Sequence, residues 1–360
     1  MARIGLATGG GDCPGLNAVI RAVVKRAAQS QHSVVGLSHG FGGLFSANGV
    51  RELALDDISG ILPRGGTILG TSNRSNPFSY PVKEGEALLE RDLSDQAVAR
   101  MRELGLDGLI MVGGDGSLQI ARQLSEKGLR VIGVPKTIDN DLAGTDQTFG
   151  FDSARNVAMR AVDMLHSTAE AHDRLMVLEV MGRDSGFIAL EAGVAGGADI
   201  ILMPEIPYHL EPVIAAVQAR QARGRSFSIA VVAEGAYPAG GGQAVEEAQV
   251  WGRGTVRLGG AGRVLAERLA GRIDLEVRVT VLGHLQRGGS PSAFDRLLCT
   301  RLGAHAITLV DEGRWNRVAV LRGTDITDVP LSEEATATRR VNPHGQLVTT
   351  ARQLGITFGD

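Results

Sequence analysis

The feature that most restricts how this chain can fold is a short apolar run that ends in a glycine turn and leads into a helical pattern. Residues 109–112 are such a run, residues 113–117 (Gly-Gly-Asp-Gly-Ser) follow it, and residues 118–127 have the pattern of a helix. Strand, glycine turn and helix in this order are typical of an open α/β sheet. Backbone N–H groups in such a turn approach a phosphate closely, and the dipole of the following helix favours its negative charge. The stretch therefore predicts a phosphate-binding turn.

A second motif follows about twenty residues later. The apolar run 131–134 leads into residues 135–141 (Pro-Lys-Thr-Ile-Asp-Asn-Asp), which crowd Asp139, Asn140 and Asp141 just past the end of a strand. In an open α/β sheet, ligands bind at the carboxyl ends of the strands. Two neighbouring strands would therefore bring a phosphate cradle, a metal-binding carboxylate and a base to one crevice. That combination predicts a phosphoryl-transfer site.

The same unit occurs at the start of the chain and recurs along it. Residues 3–8 read as a strand, residues 9–15 as a glycine turn, and residues 16–29 as a helix with apolar positions on one face. This regular alternation predicts an α/β fold of two doubly wound, mainly parallel α/β/α domains, with the active site in the cleft between them. We expect the first domain over residues 1–149 with a return of the chain at about 284–313, the second over residues 150–283, and a C-terminal extension over residues 314–360. Less regular stretches are expected to be a loop at 58–76, one or two helices at 83–104 and an exposed loop at 236–254.

Composition excludes several classes of protein. The net charge of −3 and the aromatic content of 4% argue against a nucleic-acid partner, because the chain has no basic excess and few aromatic residues for stacking on bases. No apolar run approaches the roughly 20 residues of a membrane span, and the chain enters a strand at once, without a signal peptide. Two cysteines, Cys13 and Cys299, make neither a disulfide framework nor a metal cluster. We expect a cytoplasmic protein.

Candidate catalytic groups follow from the needs of a kinase: a phosphate cradle, a Mg²⁺ ligand, a base and positive charge. Asp115 is the candidate Mg²⁺ ligand beside phosphates held by the two glycine turns, since one carboxylate suffices for this ion. Asp139 is the candidate base, and Asp141 orients the substrate or assists with charge. An isolated Asp after a strand is more often the N-cap of the next helix. Two acidic motifs on adjacent strand ends favour chemistry instead.

Arginines supply the complementary charge. Four of them stand at the edge of a predicted strand or in its terminal glycine turn: Arg174, Arg183, Arg278 and Arg287. Because a guanidinium binds a phosphate monoester bidentately and stays charged, this set favours a phosphorylated substrate over four solvated surface charges. Glu234, at another strand end, is a candidate acceptor for sugar hydroxyls. His284 is either a site residue or a hydrogen-bonded core histidine.

Five collinear motifs together resemble the 6-phosphofructokinases. They are residues 10–17 (GGDCPGLN), 113–117 (GGDGS), 135–141 (PKTIDND), 179–183 (EVMGR) and 282–289 (LGHLQRGG). The resemblance extends from residue 3 to about 310. It implies Mg²⁺-dependent phosphoryl transfer to the 1-hydroxyl of fructose 6-phosphate, in a donor domain and a sugar-phosphate domain, by a homodimer or homotetramer with shared active sites.

The resemblance also implies roles for individual residues. Asp139 is the base, and Asp115 is the Mg²⁺ ligand. Arg74 bridges the donor and acceptor phosphates, and Arg183 joins it in catalysis. The donor contacts are Gly11, Arg74, Gly114, Asp115, Gly116 and Ser117. The sugar-phosphate contacts are Thr137, Asp139, Asp141, Met181, Gly182, Arg183, Glu234, His284 and Arg287, with Arg174 and Arg278 reaching in from a neighbouring subunit.

Two positions bear on the phosphoryl donor. Members that use ATP resemble this chain at Gly116, where a small residue leaves room for the α-phosphate, whereas members that use pyrophosphate usually carry Asp there. At Lys136 the preference reverses, since pyrophosphate enzymes carry Lys and the short bacterial ATP enzymes carry Gly. Position 116 is the more decisive of the two, because a bulky, charged residue there would exclude the α-phosphate of ATP, whereas Lys136 can contact a phosphate of either donor. The sequence therefore favours ATP.

Three rival hypotheses remain. A pyrophosphate-dependent enzyme is favoured by Lys136 alone. The motif at 113–117 also resembles that of NAD kinases and lipid kinases, which lack the motifs at 137–141 and 181–183. A non-catalytic sugar-phosphate sensor on the same fold would be expected to lack Asp115 or Asp139, and both are present.

Overall fold

The computed structural model describes residues 1–85, 87–246 and 257–360, which alternate between strands and helices. The strands are β1 (Arg3–Thr8), β2 (Ser33–Leu37), β3 (Val50–Glu52), β4 (Tyr80–Glu84), β5 (Ala87–Arg91), β6 (Gly108–Gly113), β7 (Val131–Thr137), β8 (Phe149–Gly150), β9 (Arg174–Val180), β10 (Ile200–Leu202), β11 (Ser228–Ala233), β12 (Val245–Glu246), β13 (Arg257–Leu258), β14 (Glu276–Val281), β15 (Arg317–Arg322) and β16 (Asp325–Pro330). The helices are α1 (Leu16–Gln29), α2 (Ser94–Glu103), α3 (Asp115–Glu126), α4 (Phe151–His172), α5 (Phe187–Ala195), α6 (Leu210–Ala222), α7 (Ala261–Leu269), α8 (Ala293–Asp311), α9 (Glu333–Thr336) and α10 (Gln346–Gln353).

These elements form two compact units, each assembled from three segments of the chain. The first unit comprises Met1–Ile138, Leu142–Asp152 and Arg287–Thr338. The second comprises Asp139–Asp141, Ser153–Gln286 and Arg339–Asp360.

The first unit is built on a sheet whose strands run in the order β16-β15-β7-β6-β1-β2-β3, with β8 paired to β7. The five strands from β15 to β2 pair in parallel, and the outer strands β16 and β3 are antiparallel. Helix α3 packs against β6 and β7, α8 packs against β7 and β15, and α1 packs against α8. The core between them is apolar and fully buried, as at Leu109, Met111 and Leu118. The mainly parallel α/β fold expected from the sequence is confirmed.

The strand order fixes where this unit can bind a ligand. From β1 the chain moves outward to β2 on one side, then returns to add β6, β7 and β15 on the other. The strand order therefore reverses between β1 and β6, and this place is the topological switch point of the sheet. In sheets of this kind, the carboxyl ends of the strands at the switch point form the ligand crevice. Thr8 at the end of β1 lies opposite Val112 near the end of β6. The two glycine turns of the sequence therefore leave the sheet side by side.

The second unit contains a four-stranded parallel sheet in the order β10-β11-β9-β14. Its strands are buried apolar runs, such as Leu175, Val177, Ile200 and Val232, which is typical of a parallel sheet covered by helices. The ends of β9, β11 and β14 are adjacent, because Val180 pairs with Ala233 and Glu179 pairs with Val281.

One region differs from the expectation, and a second is described only in part. The prediction of helices over 83–104 is wrong for its first part, where β4 and β5 form an antiparallel hairpin, and confirmed for α2. Every residue of β5 is exposed, so the hairpin has no buried alternation that a pattern could reveal. Of the loop expected at 236–254, residues 247–254 lie outside the described residues.

Candidate active site

The first glycine turn is enclosed by groups from several parts of the first unit. Gly10 donates its N–H to the carbonyl of Ser72 at 3.2 Å, and the hydroxyl of Thr71 donates to the carbonyl of Gly10 at 2.5 Å. The ammonium of Lys136 donates to the carbonyl of Gly11 at 2.6 Å, although the side chain is buried. The guanidinium of Arg287 donates to the carbonyl of Asp12 at 3.1 Å. Two fixed cations therefore lie against a glycine turn at the switch point, which is an arrangement suited to an anion.

The glycines of the two turns are needed for different reasons. A Cβ on Gly9 would lie 2.6 Å from the hydroxyl oxygen of Ser117, and a Cβ on Gly113 would overlap the side chain of the same serine. These two glycines allow the turns to approach each other. At Gly116, in contrast, no atom of the described residues lies within 4 Å of the place that a Cβ would take. The protein itself leaves room for a side chain there, so the open space beside Gly116 is free for a ligand.

Helix α3 begins at the carboxyl end of β6 with Asp115, whose side chain is exposed. Its N-cap is Gly114, which has no side chain to accept a hydrogen bond from the first turn of the helix. The N–H groups of that turn can therefore be satisfied by a phosphate. Among the described residues no group of three or more His, Cys, Asp or Glu side chains forms a metal cluster. A single carboxylate beside a phosphate cradle fits Mg²⁺, which takes one or two carboxylates together with phosphate oxygens.

A polar cavity of about 470 Å³ lies in the same unit and shares Ser72 with the turn at Gly10. Its lining includes His39, Arg74 and Tyr80. Cavities of this volume hold small organic ligands. His39 and Tyr80 had no signal in the sequence, because they lie outside the glycine motifs and come together only when the loop before β3 meets the hairpin of β4 and β5.

The acidic motif of residues 139–141 belongs to the second unit. Asp139 and Asp141 are partly buried, and Asn140 is buried with a φ of 55°, in the left-handed region. The carbonyl of Asp139 accepts a hydrogen bond from the hydroxyl of Ser185 at 3.2 Å. A left-handed Asn is tolerated because its short side chain can hydrogen-bond locally. The three residues therefore form a tight, specific loop, which we call the acidic loop.

The other second-unit residues singled out in the sequence follow the carboxyl ends of adjacent strands. Met181 donates its N–H to the amide oxygen of Gln286 at 2.8 Å, and Glu234 donates its N–H to the carbonyl of Val180 at 2.8 Å. Gly182 has a φ of 138°, and a Cβ there would lie 2.6 Å from the carbonyl oxygen of Ser185, so only glycine fits. Arg183 and His284 are exposed in the turns after β9 and β14. The turns after β9, β11 and β14 thus meet at one edge of the sheet.

Arg174 and Arg278 do not lie at that edge. Arg174 is the first residue of β9, roughly 20 Å from the strand's end by the rise of an extended chain. Arg278 lies on β14 opposite Met176. Both guanidinium groups contact Glu276: Arg174 at 2.5 Å through its Nε, and Arg278 through an Nη. The structure therefore separates this arginine pair from Arg183 within one protomer.

The other two residues expected to contact the sugar phosphate, Thr137 and Arg287, fall in the first unit.

The cysteine in the first turn, Cys13, has an unreactive thiol. Cys13 is fully buried, and burial raises the pKa of its thiol to about 12 despite the nearby positive charge of Lys136. A thiol with this pKa stays protonated near neutral pH and is a poor nucleophile.

In the described part of the chain, none of the helices combines the length and apolarity of a membrane span.

Comparison with known proteins agrees with this geometry. The sequence profile of the family described as Phosphofructokinase matches residues 3–310. An ATP-dependent 6-phosphofructokinase of Chloroflexus aggregans is 53% identical over 359 residues, covering 99% of this chain and 98% of the relative. A pyrophosphate–fructose 6-phosphate 1-phosphotransferase of Amycolatopsis methanolica is 48% identical over 342 residues, covering 95% of this chain and 96% of the relative.

Among solved structures, the phosphofructokinase of Pichia pastoris in the T-state superimposes with a TM-score of 0.79 at 31% identity. The match covers 98% of this chain and 36% of the yeast chain. Together with the glycine turns at the switch point, the basic groups around them and the acidic loop, these matches show that the chain belongs to the phosphofructokinase family.

Proposed function

We propose that the chain transfers the γ-phosphoryl group of ATP to the 1-hydroxyl of fructose 6-phosphate, giving fructose 1,6-bisphosphate, as a Mg²⁺-dependent step of glycolysis. The observation that carries the proposal is the meeting of two glycine turns with Lys136 and Arg287 at the switch point of the first unit. Family membership supports it, since several relatives at 47–53% identity are named ATP-dependent 6-phosphofructokinase.

The first unit holds the donor in this proposal. The turns at residues 9–11 and 113–117 bind the phosphates through backbone N–H groups, Gly11, Gly114, Gly116 and Ser117 among them. The nucleoside enters the polar cavity beside Arg74 and His39. Asp115 would hold Mg²⁺, which when bound shields the phosphate oxygens and offsets the charge that develops on them. Arg74, an exposed guanidinium on the cavity wall, stabilises the transferring group.

The second unit holds the acceptor. Asp139 takes the proton of the 1-hydroxyl as the oxygen attacks the γ-phosphorus, and the leaving ADP keeps the bonding electrons. Arg183 offsets negative charge in the transition state. Most of the remaining contacts to the sugar phosphate also lie in the second unit, namely Asp141, Met181, Gly182, Glu234 and His284, whereas Thr137 and Arg287 belong to the first unit.

The arginine pair acts on a neighbouring protomer. Arg174 and Arg278 lie along the strands rather than at their carboxyl ends, and each is a fork suited to a phosphate monoester. We propose that they bind the 6-phosphate in the site of a second copy, so that the active enzyme is a homodimer or homotetramer.

Pyrophosphate is the second candidate donor. Lys136 lies directly on the donor turn, and the relative from Amycolatopsis methanolica is named for pyrophosphate. Against this, the space beside Gly116 gives the α-phosphate of a nucleotide room that pyrophosphate does not need.

The test is to supply the purified protein with Mg²⁺ and fructose 6-phosphate and to measure fructose 1,6-bisphosphate formed from ATP and from pyrophosphate separately. We expect turnover with ATP. Turnover with pyrophosphate alone would overturn the donor assignment and leave the family reaction in place. Turnover with neither would overturn the proposed function in favour of a sugar-phosphate sensor.

A further inference from the structure

The chain beyond the matched family region contributes directly to the acidic loop. Arg339 lies 29 residues past the end of the family match at residue 310. Its backbone N–H donates to the carbonyl of Asp141 at 2.6 Å, and its guanidinium Nη2 donates to the carbonyl of Asn140 at 2.8 Å. One residue of the tail therefore binds two of the three residues of the loop.

The acidic loop is stabilised by external bonds. Asn140 is in the left-handed region, which is uncommon for a residue with a Cβ even though Asn tolerates it, and the surrounding contacts hold the loop in this conformation. With the bond from the hydroxyl of Ser185 to Asp139, three consecutive carbonyls of the loop accept hydrogen bonds from residues distant in the chain. These bonds fix the backbone from which the Asp139 carboxylate projects.

Arg339 is itself held in place on both sides. Its guanidinium carbon lies 5.0 Å from the ring centre of Phe187, the first residue of α5. Two residues further on, the N–H of Val341 donates to the carboxylate of Glu205 at 2.8 Å. The same carboxylate accepts the N–H of Gly186 at 2.9 Å. A cation–aromatic contact and a bridging carboxylate thus anchor the tail segment beside the start of α5, the helix that follows Ser185.

We propose that Arg339 is a positioning residue for phosphoryl transfer: it holds the backbone of Asn140 and Asp141 so that the carboxylate of Asp139 keeps the direction in which it accepts the hydroxyl proton. The inference rests on the proposed function, because it takes Asp139 to be the base. A base displaced by about 1 Å can lose as much as 100-fold in rate while the binding of substrates is little changed.

The kinetic test compares Arg339→Met with Arg352→Met. Arg352 is a matched control in the same tail, since its guanidinium lies 5.1 Å from the ring centre of Phe358 and pairs with Asp360 at 2.6 Å. Both changes remove a cation–aromatic contact and side-chain hydrogen bonding, and only Arg339→Met removes a bond to the acidic loop, the one to the carbonyl of Asn140. We expect Arg339→Met to lower kcat by roughly 10- to 100-fold with the KM for ATP within about 2-fold of wild type. Arg352→Met should change both by less than about 2-fold. Equal losses of kcat in the two variants would overturn the inference.

A second measurement needs no substrate and so separates the inference from the proposed function. Hydrogen exchange of the backbone amides in residues 138–144 should be faster in Arg339→Met than in wild type or Arg352→Met. Unchanged exchange would overturn the inference whatever the activity. If wild type does not phosphorylate fructose 6-phosphate and exchange nevertheless rises, the proposed function fails and, with it, the role of Arg339 in catalysis. If Arg339→Met does not fold, Arg339→Lys replaces it, since lysine keeps the charge and a donor but not the planar fork. This variant is expected to show a smaller change in the same direction. Exchange rates and a kcat equal to those of wild type would count against the inference.

Discussion

At the scale of single residues, the glycines of the two turns illustrate how packing and ligand binding can demand the same residue. Gly9 and Gly113 are favoured as glycine by Ser117, because a Cβ on either would lie too close to the serine side chain. Gly116 has no such neighbour among the described residues, and its backbone lies outside the left-handed region. A substitution at Gly116 is therefore compatible with folding, which makes it a clean probe of the donor.

We expect Gly116→Asp to discriminate against ATP. A carboxylate 4–8 Å from a phosphate charge costs about 2–4 kcal/mol at an effective dielectric constant of about 20. This repulsion should lower kcat/KM for ATP by roughly 100-fold. Gly116→Ala, which adds bulk without charge, is the control and should lose less. The prediction is checked by steady-state kinetics with ATP, together with the melting temperature of each variant. An Asp variant that uses ATP as well as wild type would show that residue 116 does not determine the choice of donor.

The acidic loop shows what the sequence could and could not reveal at this scale. Asp139 and Asp141 stood out because two carboxylates after an apolar run are unusual, and the loop indeed follows β7 directly. Their support from Arg339 had no signal, since the partners are 199 positions apart and Arg339 lies in a polar stretch without periodicity.

At the scale of elements, the antiparallel pair β15–β16 completes the first sheet and carries a buried charge. The side chain of Asp328 on β16 is only 3% exposed, and it binds Arg317 at 2.5 Å and Arg314 at 2.7 Å. Burial opposes ionisation of this carboxyl, but the hydrogen bond and charge of Arg317 and the charge of Arg314 outweigh it and hold the pKa below its ordinary value of 3.8. Because the folded-state pKa is depressed, the carboxylate stabilises the fold above pH 3.8, and the contribution is lost as the pH falls through the lower folded-state value.

We expect Asp328→Asn to destabilise the protein near neutral pH by about 1–3 kcal/mol, the range for a charged hydrogen bond. The arginines are 46% and 28% exposed and can be rehydrated, which favours the lower end. Chemical denaturation of wild type and variant checks this, with Asp325→Asn, an exposed position on the same strand, as the control. The difference should stay constant down to about pH 4 and shrink below it. A difference that persists unchanged at lower pH would show that the charge of Asp328 is not its source.

The elements themselves were predictable to the extent that burial left a pattern. The bounds of β1 and α1 were predicted to the residue, because one is a buried run and the other an amphipathic stretch, and a glycine turn separates them. Helix α5 had no predicted counterpart, since it is apolar on most sides and lacks the one-sided pattern of a surface helix. The hairpin of β4 and β5 was missed for the opposite reason, because β5 is wholly exposed and β4 is only partly buried.

At the scale of the whole molecule, the arginine pair on β9 and β14 requires a second copy of the chain in the proposed mechanism. If Arg278 serves the site of a neighbour, two defective protomers should restore each other. Asp139→Ser and Arg278→Ala are each expected to be nearly inactive alone. In a mixed dimer, one site would combine the intact Asp139 of one protomer with the intact Arg278 of the other.

The purified mixed dimer of the two variants should therefore recover about half of the wild-type activity, since one of its two sites is complete. The measurement is specific activity of the doubly tagged, purified oligomer. Co-expression of Asp139→Ser with Asp139→Ser bearing the second tag is the control. No recovery would show that Arg278 acts within its own protomer or not at all.

The bond between Arg339 and Asn140 also has a consequence for biosynthesis. The tail residue is translated 199 codons after its partner. At ribosomal speeds of about 5–20 residues per second, roughly 10 to 40 seconds separate the two events. During that interval the nascent chain already contains both glycine turns and the base, and yet lacks the side chain that fixes the base's direction. In the proposed mechanism, the base therefore acquires its fixed direction only after residue 339 has been translated and has reached the acidic loop.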